Sequence, residues 1–165
     1  VDQDLKYRVL DALRCGDYVQ TEGTLKHVQV EKTESHEGNV TFATTKVEAK
    51  HCCLGVVGEL AAKKWAGTPL ANFFKVEDIP EYETEGKNLC IGGATGKFSI
   101  EQLEKLGMHT FVQRILIALN DGGVTFDQIS RIFSDLVELG DIATRKETEI
   151  GRLCDRIAVL QEQLD

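Results

Sequence analysis

The sequence predicts an α+β protein: a compact head, 1–124, built from a small antiparallel sheet and helices, then a long C-terminal coiled-coil helix, 125–165. Three observations carry that expectation. Apolar residues recur at alternating steps of three and four from Ile129 onward, the period of a helix that buries one seam. Valines alternate with polar residues on both sides of a turn-forming stretch at 34–39, the pattern of a hairpin. Ser99 and Thr125 each stand three residues before a glutamine, which lets side chain and backbone cap a helix start reciprocally. At 165 residues, 42% hydrophobic and 28% charged, the chain has the makeup of one globular domain with an appendage.

Taken in order, Leu5, Val9, Leu10 and Leu13 share a helical face, and Gly16 ends that helix. Tyr18 to His27 reads as an extended segment broken at Gly23, and Val28, Val30, Val40, Phe42 and Val47 mark the hairpin. Cys52 to Trp65 reads as a buried helix closed by Gly67 and Pro69, with Gly55 and Gly58 permitting close backbone approach. Asp78 to Gly93 is expected to be extended because Pro80 forbids a helix interior. A short helix follows Ser99 and stops at Gly107; another carries Phe111, Ile115, Leu116 and Leu119 and ends at Asn120-Asp121-Gly122-Gly123.

The last helix starts at Thr125. Its seam reads Ile129, Ile132, Leu136, Leu139, Ala143, Lys146, Ile150, Leu153, Ile157, Leu160 and Leu164. Isoleucine at a with leucine at d, as in the last two heptads, favours two parallel strands, so a homodimer through this helix is the expected assembly. Ala143 and Lys146 weaken the middle, and Gly140 and Gly151 each cost roughly 1 kcal/mol of helix propensity. Charge pairing at the flanking positions does little to choose a partner, because Glu149 and Arg156 face Cys154 and Gln161.

Several segments invite a chemical reading. A cysteine in the first turn of a helix, as at Cys52-Cys53, feels the positive end of the helix dipole, which favours a nucleophilic thiolate. None of His27, His36, His51 and His109 stands in a recognisable partner motif, and the apolar run Leu54, Val56, Val57 and Leu60 favours burial instead. No two cysteines have the separation of a zinc hook, so neither a metal nor a cofactor is expected. Gly92-Gly93-Ala94-Thr95-Gly96-Lys97 lacks the hydroxyl that a phosphate loop places after its lysine, since Phe98 follows. Thr125 to Ser130 resembles half of a helix-turn-helix, but acids at Asp127, Asp135, Glu138 and Asp141 oppose DNA binding. With 27 acidic against 19 basic residues, net −8, the chain is expected to bind neither nucleic acid nor membrane. Five irregularly spaced cysteines and no export leader predict reduced thiols in a cytoplasm.

Taken in order, Leu13-Arg14-Cys15-Gly16-Asp17-Tyr18-Val19-Gln20 with Gly23-Thr24-Leu25, then Cys52-Cys53-Leu54-Gly55-Val56, then Leu119-Asn120-Asp121-Gly122-Gly123 with Thr125-Phe126 and Ile129 resemble a group of small, mostly phage-encoded proteins. The resemblance implies a phage or prophage setting in a host cytoplasm and supplies no reaction. Two features depart from it: Gly58 stands where a second cysteine is often seen, and the heptad tail is additional. Within the shared segments, Asn120 and Asp121 either cap backbone amides around the Gly122-Gly123 turn or converge with Gln20 near the Cys52 helix as a pocket for a polar ligand; Trp65, Phe73 and Phe74 either stack on that ligand or, the better default, pack in the core.

The expected function is therefore that of a non-enzymatic phage accessory protein with no catalytic residues. It would bind a host protein or a small polar signalling molecule, countering host defence by sequestration. The alternatives are a cysteine hydrolase using Cys52 or Cys53 and a structural protein of the virion or its assembly.

Overall fold

The computed structural model describes the backbone of residues 1–37, 40–74, 87–89 and 96–162, and the side chains of these outside 29–47, 87–89, 160 and 162. Helix α1 (Gln3–Cys15) starts where the Asp2 carboxylate accepts from the Leu5 amide at 2.9 Å, and it stops at Gly16 with φ 79°. Leu5, Val9, Ala12 and Leu13 form its buried stripe; Ala12 joins the predicted face, and Leu10, expected on it, is only partly buried.

Strands β1 (Val19–Gln20), β2 (Lys26–Glu37), β3 (Val40–His51) and β4 (Lys87–Leu89) form one sheet in the order β1-β3-β2-β4. The sheet is mixed rather than purely antiparallel. β1 runs parallel to the end of β3, with Val19 opposite Lys50 and Gln20 opposite His51. The hairpin itself is longer than the valine pattern indicated. Its register runs from Lys26↔His51 through Val30↔Val47 to Glu37↔Val40, so the strands continue across 34–37, where a turn was expected. Its base alone is flanked within the described residues, by β1 on one side and by β4, paired to Lys26–Val28, on the other. Of the segment expected to be extended at 78–93, Lys87–Leu89 is a strand, and the remainder lies outside the described residues, as do Gly92, Gly93, Ala94 and Thr95.

Helix α2 (Cys53–Lys64) is capped by Cys52 and buried from Cys53 through Gly58. Glycine at position 55 is required by packing: a Cβ there would collide with the Leu25 carbonyl, the same group that accepts from the Cys52 amide at 3.2 Å. A short 3-10 helix (Pro69–Phe74) then brings Phe74 into the core against Trp65 and Phe98. Helix α3 (Ile100–Leu106) has the predicted reciprocal cap between Ser99 and Gln102 and ends at Gly107 with φ 62°. Helix α4 (Thr110–Asp121) follows, and α5 (Phe126–Glu162) starts with Thr125 and Gln128 exchanging hydrogen bonds at 3.1 and 3.4 Å.

The head does not end where α5 begins. Phe126, Ile129, Ser130, Phe133, Val137 and Gly140 are buried against the rest of the head. The Arg14 guanidinium donates to the Ser130 hydroxyl at 3.1 Å, tying α1 to this face. At Gly140 a Cβ would come 2.7 Å from the Val112 methyl and 3.2 Å from the His109 Cβ, so this glycine lets α4 and α5 approach. Ile129, expected in the intermolecular seam, is fully buried in the protein's own core. The reason is geometric: 126, 129, 130, 133, 137 and 140 make a stripe roughly 90° around the helix from the a/d seam. An apolar count along one period cannot separate two adjacent stripes.

Candidate functional site

Gln20, Asn120 and Asp121 do meet beside the start of α2. Their polar atoms are spent on the protein itself. The Gln20 amide donates to the Val124 carbonyl at 2.8 Å and to Asn120 Oδ1 at 3.3 Å, while its carbonyl accepts from the Phe126 amide at 3.1 Å. Asn120, 1% exposed, accepts from the Cys53 amide at 3.2 Å and donates to the Thr21 carbonyl at 2.8 Å. Asp121 accepts from the Gly23 amide at 3.1 Å. Four chain segments (the β1 turn, α2, α4 and α5) are thus joined through side chains that satisfy otherwise orphaned backbone groups. Most of these bonds go to backbone groups, and two, Gln20 to Asn120 and Asn120 to Asp121, link the side chains to one another. The Trp65 ring packs 5.5 Å from Phe74, partly buried against the edge of the core.

The two vicinal cysteines are buried. Cys52 is 5% exposed and Cys53 is 1% exposed. Burial pushes the Cys52 thiol up to about 11, outweighing the amide of Gly55 that donates to its sulfur, and burial raises Cys53 as well. The helix start therefore does not activate a thiolate here, because desolvation of the charged form exceeds the dipole's help. The Cys53 thiol instead donates to the Leu116 carbonyl at 3.4 Å.

One charged constellation was not singled out from the sequence. Glu59 of α2 accepts from Lys26 at 2.9 Å, from Lys63 at 2.8 Å and from Tyr18 at 3.3 Å, and its Oε2 lies 2.8 Å from His51 Nε2. Glu59 is held well below the ordinary carboxylate range, chiefly by the His51 hydrogen bond and then by Lys63 and Lys26, against the opposing effect of burial. Burial first, and the nearby Glu59 charge second, raise the Tyr18 phenol. Because Glu59 needs donors, Nε2 carries a proton, and the buried Nδ1 of His51 has no partner. The i,i+4 spacing of Glu59 and Lys63 was the only local sign of this cluster; the strand residues arrive through the sheet. It clamps α2 to β2 and β3.

Two surfaces among the described residues combine apolar lining with exposure. A groove of about 720 Å³ lies where α5 leaves the head, lined by Ile100, Leu103, Met108, His109, Thr144 and Glu147, with His109 Nε2 3.1 Å from the Glu147 carboxylate. Along α5 runs the second: Ile132 is 38% exposed, Leu139 53%, Ile150 60%, Leu153 52% and Ile157 55%, with Leu136 and Ala143 half-buried between them. The side chain of Leu160, and Leu164 altogether, fall outside the described residues. Lys146 interrupts the stripe, its ammonium 2.8 Å from Glu149. Among the described residues no group of three His, Cys, Asp or Glu is placed to hold a metal ion, and no helix is long and apolar enough to cross a membrane.

Compared with known proteins, the chain matches no family model, and neither the curated proteins nor the solved structures include a significant match.

Proposed function

We propose that the protein is a non-enzymatic phage accessory protein that self-associates through α5 and captures a host protein by surface contact, acting by sequestration in the host cell. One observation carries this reading. The polar residues that converge are consumed by the protein's own backbone, whereas half-exposed isoleucines and leucines continue along α5 beyond the head. Apolar surface of that extent on a helix is the signature of a docking face. The resemblance of the Cys52 and Asn120 segments to phage-encoded proteins supplies the setting.

Burying the exposed half of an isoleucine or leucine is worth ~1 kcal/mol. Summed over the stripe on two chains this gives ~10 kcal/mol, against an association cost of ~4–15 kcal/mol. Self-association of this kind is concentration-dependent.

The discriminating experiment is thiol labelling with iodoacetamide at neutral pH, followed by affinity capture from host lysate with wild type and an Ile150→Asp/Leu153→Asp variant. Cys15 and Cys154 are exposed and are expected to react, while Cys52 and Cys53 stay unmodified until denaturant is added. Capture is expected to weaken in the variant as its mass falls to that of one chain. A single fast thiol at Cys52 or Cys53 would revive the hydrolase reading and overturn this one.

A further inference from the structure

We propose that two copies of α5 pair antiparallel, centred between Thr144 and Arg145, so that each free stem lies along the half-exposed seam beside its partner's head. This rests on the self-association reading above and adds its geometry. The helix Phe126–Glu162 is 37 residues long and its midpoint is residue 144, so an antiparallel pair centred there overlaps along its full length.

The seam supports that centre residue by residue. Antiparallel coils pack an a position against a d position. Centred at 144 to 145, Ile132 meets Ile157 of the second copy, Leu136 meets Leu153, and Leu139 meets Ile150. Every half-exposed residue beside the head is then covered by one from the stem, which is exposed throughout from Arg145 to Val159. In the middle, Lys146 meets Ala143, a long side chain against a small one. A parallel in-register pair sets Lys146 against Lys146, like charges in the seam, and leaves Ala143 against Ala143, an unfilled layer.

The flanking charges agree. In an antiparallel pair the g positions face each other, and here Asp135 faces Arg156 of the second copy, twice by symmetry. Neither residue has an ion-pair partner within its own chain among the described residues. In a parallel pair Asp135 and Arg156 are separated by ~30 Å along the axis, and the g residues instead face Gly140, Glu147, Cys154 and Gln161. The isoleucine-at-a, leucine-at-d signal for parallel strands holds only in the last two heptads; Leu136 and Ala143 at a break it.

The orientation is read by double electron–electron resonance on the full chain with Cys15, Cys90 and Cys154 changed to serine and a spin label on Gln161→Cys. Antiparallel pairing places the two labels ~50 Å apart along the axis, since each sits beside residue 128 of the other copy. A separation near 20 Å would overturn the orientation while leaving self-association intact. Single-chain mass at every concentration, with no intermolecular dipolar signal, would overturn both. A charge swap gives an independent readout. Arg156→Asp is expected to weaken the dimer about fivefold, and Asp135→Arg in the same chain to restore it. Failure of the second substitution to restore affinity argues against the facing pair and overturns the centre at 144 to 145.

Discussion

Phe126–Gly140 and Asp141–Glu162 belong to one continuous helix with one apolar repeat, yet they live in different environments. In the first half Ile129 and Phe133 are closed over by α1 and α4, and Gly140 is pressed against Val112. In the second, Ile150, Leu153 and Ile157 are more than half exposed, and a Cβ at Gly151 would meet nothing within 4 Å. A heptad repeat records which residues are apolar. What covers them depends on where the rest of the chain ends: among the described residues Gly140 is the last buried one of α5 and Glu147 is still held by His109, which leaves a free stem of ~22 Å.

That contrast is open to attack by substitution. The largest effect belongs to the head: Gly55→Ala forces the Leu25 backbone away from α2 and is expected to cost more than about 4 kcal/mol, with failure to fold at 37 °C, in denaturant unfolding. Next comes Asn120→Ala, which orphans the Cys53 amide and the Thr21 carbonyl inside the head; a loss of about 3 kcal/mol is expected by the same measurement. An unchanged midpoint would mean that water enters the cluster, and that the site is more open than its 1% exposure implies.

The sharpest comparison uses one substitution twice on α5. Gly140→Ala is expected to destabilise by ~1–3 kcal/mol because the added methyl displaces Val112 or His109. Gly151→Ala, in open space, is expected to stabilise the helix by up to ~1 kcal/mol. Thermal melts of the two variants, run side by side, therefore move in opposite directions; equal shifts would erase the distinction between the halves.

The last effect is a pH dependence. Glu59 has its folded pKa depressed from 4.5, so its ion pairs contribute fully above that value and are lost as pH falls below it. The stability difference between wild type and Glu59→Gln is expected to be about 1–2 kcal/mol near neutrality and to shrink as pH is lowered from 5 toward 3. Denaturant midpoints across that range test the sign.

Much of the local structure was legible because its causes are local. Ser99 and Thr125 cap helices with atoms three residues away, and Gly16 and Gly107 end them by adopting positive φ. Backbone capping by Asn120 and Asp121 and their convergence with Gln20 were left open as alternatives, because side-chain type does not reveal whether distant backbone groups, such as the Val124 carbonyl, already occupy each donor. Glu59 escaped notice for a related reason: of its four partners only Lys63 lies within one helical turn.

By itself, then, the order of amino acids determined the elements, their caps and the existence of an amphipathic helix of many heptads. Tertiary structure alone decided that Ile129 faces inward and that the sheet takes β1 in parallel. The physical reason is range. Capping and periodicity act over a few residues, whereas desolvation and hydrogen-bond satisfaction depend on whichever distant segment arrives to fill the space.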